Sequence, residues 1–392
     1  MSNFGYVLGP LISLIGTVSV YLCSFILASE SKELFGQYSE FIFLMNIFVA
    51  SASLSIDIQM VRSQINGEKN FEPYYFQIGL LINLFLSTVY VFSLSILSLG
   101  EYLFSFLIII FQFVIVFVSG LFQMRKFYIW MSITLNVTNI IRLIFVSLVV
   151  FNSEFKSVSQ IVNGYILIHL FTLIFSLFCF YFFFHSENKI YQFSRENWTV
   201  SKFKGLILLA IAPVLHMVIY QSDIVILSQS QSVTIVAEYG LALTIVTAIY
   251  YFPSLVSNKY MLPYLLKIGE GDKVERKPVL YYTFFSIVFI FLVFSLTDQI
   301  YEWFFFKYSN STFILKILLI GVFFRLLSIP LGSALNAERK VKKKIIVMAF
   351  VAFFNLLANY IFIPQFGVKA AIYTTVISEI MLFSLYFLII KL

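Results

Sequence analysis

The stretch that decides the architecture is LFSFLIIIFQFVIVFVSGLFQM, residues 103–124. It holds no charged residue over twenty-two positions and is followed at once by Arg125 and Lys126. As an α-helix it is about 33 Å long at 1.5 Å per residue, matching a bilayer hydrocarbon core of about 30 Å. Its apolar residues run continuously instead of alternating, so it does not read as a strand of a membrane barrel.

Similar runs fill the chain on both sides. Spans are expected at 6–28, 38–60, 74–98, 103–124, 127–151, 160–184, 205–228, 235–258, 279–298, 312–334, 343–363 and 367–390. The composition agrees: 60% of the 392 residues are hydrophobic, 48 are Phe, and 11% are charged, against roughly 25% charged in soluble domains. The expected fold is therefore all-α and polytopic, with about twelve transmembrane helices. The first run lacks a basic leader and is too long for a signal-peptide core, so it is retained as a helix. Cys23 and Cys179 both fall inside apolar runs, which argues for neither a disulfide framework nor a zinc site.

A net charge of +7 is explained by topology without nucleic acid. Alternate loops hold Arg62 and Lys69, Arg125 and Lys126, Lys189 to Lys204, Lys259 to Lys277, and Arg339 to Lys344. With Lys391 these carry 19 Lys or Arg. The opposite loops carry five, Lys32, Lys156, Lys307, Lys316 and Lys369. The positive-inside rule puts both termini and the basic loops in the cytoplasm. Tyr74, Tyr75, Trp130, Tyr281, Tyr282 and Trp303 are expected at headgroup level.

Several features recur about two hundred residues apart. Pro10 interrupts span one and Pro213 span seven. Phe35-Gly36-Gln37-Tyr38 opens span two, and Val236-Ala237-Glu238-Tyr239 opens span eight. Leu121-Phe122-Gln123-Met124-Arg125-Lys126 follows span four, and Leu335-Asn336-Ala337-Glu338-Arg339-Lys340 follows span ten. The expected organisation is an N-terminal six-helix bundle at 1–184, a cytoplasmic linker at 185–204 and a C-terminal six-helix bundle at 205–392. Such a duplication implies a pseudo-two-fold axis along the membrane normal, with a cavity between the halves.

An ionised side chain at mid-bilayer costs on the order of 2.5–3.5 kcal/mol on insertion scales, so each one calls for a partner, a cavity or a task. Arg142 lies in span five and Arg325 in span ten. The acidic counterparts are Asp57 in span two, Asp223 in span seven and Glu379 in span twelve. Ser132, Asn136 and Asn139 share a face near Arg142, and His216, Tyr220 and Asp223 share one on span seven. Asn355 and Asn359 line span eleven, and Thr244, Thr247, Tyr251 and Ser254 line span eight. Such stripes point into a bundle.

Two readings follow for the arginines. In one they pair with acids such as Glu379 or Asp223 to fix helix packing. In the other, Arg142, Arg325, Asn136, Asn139, His216, Tyr220, Asn355 and Asn359 line a cationic cavity, guanidinium groups being suited to phosphate. His216 and His169 also admit a plain packing role. Asp223, Glu379 and Asp57 are the candidates for coupling to a proton or sodium gradient, Asp57 also reading as a surface partner of Arg62. Pro10 and Pro213 are the candidate hinges.

No phosphate-binding Gly-x4-Gly-Lys-Ser/Thr motif, no His-Glu-x2-His and only three histidines are present. An enzyme, a metal and a resident cofactor are therefore not expected. A membrane glycan polymerase would need a sizeable external loop for its catalytic residues, whereas the external loops here are short.

The residues quoted so far, with Ser222-Asp223-Ile224-Val225-Ile226-Leu227-Ser228 and Ala237-Glu238-Tyr239-Gly240, carry a family resemblance. So does the C-terminal stretch Asn359-Tyr360-Ile361-Phe362-Ile363-Pro364, Phe366-Gly367-Val368-Lys369-Ala370-Ala371 and Thr374-Thr375-Val376-Ile377-Ser378-Glu379. The chain resembles the bacterial O-antigen and polysaccharide flippases of the multidrug/oligosaccharidyl-lipid/polysaccharide exporter superfamily. The resemblance implies a MATE-like fold in the bacterial inner membrane and translocation of an undecaprenyl-diphosphate-linked oligosaccharide to the periplasmic leaflet by alternating access. It also implies a glycan polymerase and a chain-length regulator as partners. A cation-coupled multidrug antiporter shares the fold and is the alternative. Span two has Ser53 and Ser55 where the family pattern has a glycine.

Overall fold

The computed structural model of the chain describes residues 4–53, 56–65, 71–151, 157–184, 200–256, 276–337 and 340–391. These form thirteen α-helices and one 3-10 turn. The helices are α1 (Phe4–Glu30), α2 (Lys32–Ala52), α3 (Ile56–Ile65), α4 (Glu72–Ile96), α5 (Phe106–Met124), α6 (Tyr128–Phe151) and α7 (Val158–Phe184). They continue with α8 (Val200–Ser228), α9 (Val233–Val256), α10 (Arg276–Phe304), α11 (Ser309–Ala337), α12 (Val341–Phe366) and α13 (Val368–Lys391). The 3-10 turn, Gly100–Ser105, leads into α5. Twelve segments are long and apolar enough to cross a bilayer. The protein is an all-helical, multi-pass membrane protein.

The second span departs from its expected limits. It starts at Lys32 and stops at Ala52, and the polar remainder 56–65 forms the separate helix α3. The break is chemical. Asn83 of α4, fully buried, donates through Nδ2 to the Ala52 carbonyl at 3.1 Å and to the Gly79 carbonyl at 2.8 Å. A helix-terminal carbonyl inside a membrane needs such a donor, because no water is there to supply one. Asp57 lies on α3, and its side chain is outside the described residues, as are those of Arg62, Tyr251, Ser254, Tyr281 and Tyr282. Most of the expected linker, 185–199, and much of the basic loop ending at Lys277 also lie outside them.

The chain divides into two compact units. One comprises Met1–Leu27 and Met45–Val214, the other Ala28–Leu44 and Leu215–Leu392. In the first unit α5 is central, packing on α3, α4, α6 and α7. Gly9, Ser13 and Gly16 of α1 meet Ser132 and Asn136 of α6, the small-residue seam expected where dispersion and hydrogen bonds, not water exclusion, hold helices together. Both cysteines are buried and free.

In the second unit α11 is central, packing on α9, α10, α12 and α13. The turn joining α1 and α2 is held here by polar contacts. Lys307 Nζ donates to the Ser29 and Glu30 carbonyls at 3.2 and 3.1 Å, and Tyr308 donates to the Ala28 carbonyl at 2.9 Å. Together they satisfy the last carbonyls of α1. Gly367, at φ +59°, turns the chain from α12 into α13. Trp303 is exposed, as an interfacial ring should be, but Tyr74 and Tyr75 are buried and Tyr75 shares a 2.9 Å hydrogen bond with Ser63.

Candidate functional site

The second unit gathers three of the intramembrane charges into two distinct clusters. Arg325, midway along α11, forms the first. Its Nη2 donates to His216 Nδ1 at 2.5 Å, and its guanidinium carbon lies 4.8 Å from the centre of the Tyr220 ring. The same Nη2 lies 3.3 Å from Nε2, and because arginine can only donate, a ring nitrogen without a proton is the acceptor. Nη1 lies 4.0 Å from Glu379 Oε2 on α13. His216 and Tyr220 are one turn apart on α8, with ring centres 4.7 Å apart, and the Tyr250 ring of α9 lies tilted against Tyr220, centres 5.1 Å apart. Gly321, one turn before Arg325, faces α13 at ordinary packing distance. A β-carbon there would lie 3.4 Å from Val376 Cα and 3.7 Å from Glu379 Cγ.

Donors and acceptors in this cluster are incompletely matched. Glu379 is 2% exposed; the Tyr220 hydroxyl faces its carboxylate without closing to full hydrogen-bond geometry, and the Arg325 Nε–H lacks a partner among the described residues. A buried polar group without a partner is uncommon in a native protein and asks for an explanation.

Asp223 forms the second cluster, and there matching is complete. The carboxylate is fully buried. Oδ2 accepts from Thr375 Oγ1 of α13 at 2.9 Å and from the Tyr239 hydroxyl of α9, while Oδ1 accepts from the Ile224 amide at 2.8 Å. Three donors offset the burial of one charge. Beside it Ser222 donates to Asn355 Oδ1 at 3.3 Å, Asn359 Nδ2 donates to the same oxygen at 3.0 Å, and Asn355 Nδ2 reaches Ser378 Oγ at 3.1 Å. Helices α8, α9, α12 and α13 are thereby joined by one buried polar belt.

Arg142 belongs to the first unit. Its guanidinium lies 4.0 Å above the Tyr165 ring of α7, a cation–π contact. His169, one turn further along α7, is buried and donates from Nδ1 to the Tyr165 carbonyl at 2.7 Å. Asn136 bonds the Ser132 carbonyl at 2.8 Å and approaches Ser13 Oγ at 3.5 Å, so it sits in the α1–α6 seam. Asn139 is half-buried on α6. Pro10 lies in α1 beside Gly9, and Pro213 lies in α8 next to Val214, where the first unit ends.

The expected single stripe His216, Tyr220 and Asp223 thus serves two clusters. The expected pairing of Arg325 with an acid falls to Glu379 and not to Asp223. Thr244 and Thr247 spend their hydroxyls on carbonyls of their own helix, those of Gly240 and Thr244. Sequence reasoning missed Tyr239 and Tyr250, although with Leu243 and Val246 they follow three- and four-residue spacing down one face of α9. It also missed Lys344, which lies inside α12 and not in a loop. A β-carbon added at Gly332 would lie 3.6 Å from Lys344 Nζ and 3.4 Å from Tyr386, so both side chains lie against this flank of α11. Pro330, one turn after Arg325, withholds the amide that would bond the Leu326 carbonyl.

An arginine and two carboxylates are thus buried among membrane-spanning helices, where an ionisable group is costly and calls for a partner or a task. The fold is that of MOP-superfamily transporters. It is similar to lipid II flippase MurJ in an inward closed conformation, with a TM-score of 0.69, 16% identity, and coverage of 98% of this chain and 88% of that one. It is similar to an inward-facing multidrug resistance MATE transporter, with a TM-score of 0.65, 11% identity and coverage of 97% and 96%. A MOP-superfamily transporter from Pyrococcus furiosus, described as having a binding pocket of reverse polarity, matches with a TM-score of 0.57, 12% identity and coverage of 99% and 94%. No family model matches the sequence, and no curated protein does.

Proposed function

We propose that the protein is a flippase for an anionic, polyprenyl-diphosphate-linked oligosaccharide, such as an O-antigen repeat unit or a similar surface glycan. It carries the unit from the cytoplasmic to the periplasmic leaflet of a bacterial inner membrane, with both termini cytoplasmic. The observation that carries this reading is Arg325, a cation held inside an apolar helix with its Nε–H unspent. Arg142 supplies a second cation in the other unit. A diphosphate is the part of such a substrate that most needs compensation in the membrane, and guanidinium groups suit it. The likeness to a lipid II flippase supports a lipid-linked substrate.

Asn136, Asn139, Asn355 and Asn359 are the candidate contacts for sugar hydroxyls, and Asp223 is a candidate for coupling to a proton or sodium gradient. Pro213 and Pro10 are the candidate hinges for alternating access. A glycan polymerase and a chain-length regulator are the expected partners downstream.

The likeness to MATE transporters, with two buried carboxylates in the second unit, favours a second reading, a cation-coupled multidrug antiporter. Deletion of the gene followed by analysis of lipid-linked glycans separates the two. Accumulation of single repeat units on the inner leaflet is expected for the flippase. Normal surface glycan from both Arg142→Ala and Arg325→Ala, each expressed at the wild-type level, defeats the cationic-site reading.

A further inference from the structure

The geometry points to Glu379 as an internal substitute for the substrate's phosphate: it balances Arg325 in the empty protein, and takes up a proton from solvent when an anionic ligand displaces it. This deepens the proposed function and rests on Arg325 being an anion site.

The argument starts from the imperfection of the pair. A committed buried Arg–carboxylate pair closes to bidentate hydrogen bonds. Here Nη1 and Oε2 stay 4.0 Å apart, the Tyr220 hydroxyl faces the Glu379 carboxylate without closing to full hydrogen-bond geometry, and Nε–H is unpartnered among the described residues. The contrast lies on the same helix, one turn before Glu379. Thr375 there helps saturate the Asp223 carboxylate with donors, so the fold can satisfy a buried acid where it is structural.

Arg325 itself is held independently of Glu379. The His216 imidazole holds Nη2, and the Tyr220 ring lies 4.8 Å from the guanidinium carbon. A phosphate reaching Nη1 and Nε therefore takes over the charge compensation without moving the arginine. Glu379 is then a buried carboxylate without a cation, which is expensive in a membrane. Protonation removes that cost. The other titratable groups facing Glu379 are Tyr220 on α8 and Tyr386 on α13, while Tyr250 on α9, Lys344 on α12 and His216 on α8 face the guanidinium of Arg325.

The proton comes from water entering with the ligand and binds one Glu379 oxygen. It leaves when the anion leaves and Arg325 returns. Anion and proton thus bind together, whereas a cation exporter with a shared carboxylate makes its substrate and proton compete. The consequence has a sign: anion affinity rises as pH falls.

The test uses the purified full-length protein and UDP-glucose, a soluble diphosphate diester whose charge is fixed across the range. Binding is measured by calorimetry from about pH 5.5 to about pH 8, in two buffers of different ionisation enthalpy. The expected result is uptake of about one proton per ligand and a Kd that weakens about tenfold per pH unit above the linked ionisation. Glu379→Gln should bind at the wild type's low-pH affinity with no slope and no proton uptake. His216→Gln should keep the slope, which separates Glu379 from the neighbouring imidazole. Binding lost in Arg325→Ala, or absent from the wild type, bears on the anion site: the first supports it, and the second ends both readings. Binding that is intact in the wild type with no pH slope and no proton uptake overturns the Glu379 inference and leaves the flippase reading standing.

Discussion

Lys32 Nζ lies 2.6 Å from Glu238 Oε1, joining the start of α2 to the start of α9. The Glu238 side chain is 7% exposed, and its main-chain carbonyl accepts Ser311 Oγ at 2.8 Å. The ammonium of Lys32 also lies 5.2 Å from the Tyr308 ring centre. One ion pair thereby ties the α1–α2 turn, α9 and α11 into a single unit.

Truncating one partner leaves the other buried and uncompensated. Lys32→Ala is expected to lose roughly 2–5 kcal/mol, seen as a lower midpoint in a thermal melt in detergent. Removing both charges, as Lys32→Met with Glu238→Leu, should recover most of that loss. A double variant no more stable than Lys32→Ala would show that the charge itself is not what matters.

Asp223→Ala removes the acceptor shared by the Tyr239 and Thr375 hydroxyls and leaves them their 3.4 Å contact with each other. The expected cost is roughly 1–3 kcal/mol in total. Tyr239→Phe removes only one donor and should cost less. Equal melting midpoints for the two variants would contradict the geometry around Asp223.

Gly367 occupies a backbone conformation that L-residues avoid, φ +59° and ψ −139°. A β-carbon there would also come 3.1 Å from Gln231 Oε1. Gly367→Ala is expected to destabilise by about 1–3 kcal/mol. An unchanged melt would mean that the turn between α12 and α13 relaxes freely.

Gly36 faces the Val233 carbonyl so closely that an added β-carbon would overlap main-chain atoms, which cannot rotate away. Gly36→Val should separate α2 from α9 and lower both folded yield and surface-glycan output. Ser2→Val, far from this contact in sequence, serves as the control and should change neither.

The distribution of basic residues predicts an orientation that a fusion experiment reads directly. Of 26 Lys and Arg, all but Arg142 and Arg325 fall in loops or at helix ends, nineteen on one side and five on the other. A C-terminal fluorescent fusion that matures only in the cytoplasm should be bright, and an alkaline phosphatase fusion at the same point inactive. The reverse result would invert every assignment of leaflet and direction.

Sequence alone determined that this protein is a membrane helix bundle, and it located most of the residues buried at a cost. The reason is that a bilayer admits few solutions: each span must satisfy its own backbone, so length and apolarity suffice to find it. The limits of that logic appear at Ala52, where the helix stops because Asn83 reaches its carbonyl from another helix. No local signal in residues 50–56 announces that contact.

Tertiary structure alone decided the pairings. Three- and four-residue spacing confines His216, Tyr220 and Asp223 to one face of α8, but it does not say which neighbours that face meets. The crossing of α8 by α9, α11 and α13 gave His216 and Tyr220 to Arg325, and gave Asp223 to Tyr239 and Thr375. The packing of α13 and α12 against α11 placed Glu379 and Lys344 around the same arginine. Charge and spacing are properties of a single helix and can be read in one dimension. Partnership depends on distances between helices, which exist only once they have packed.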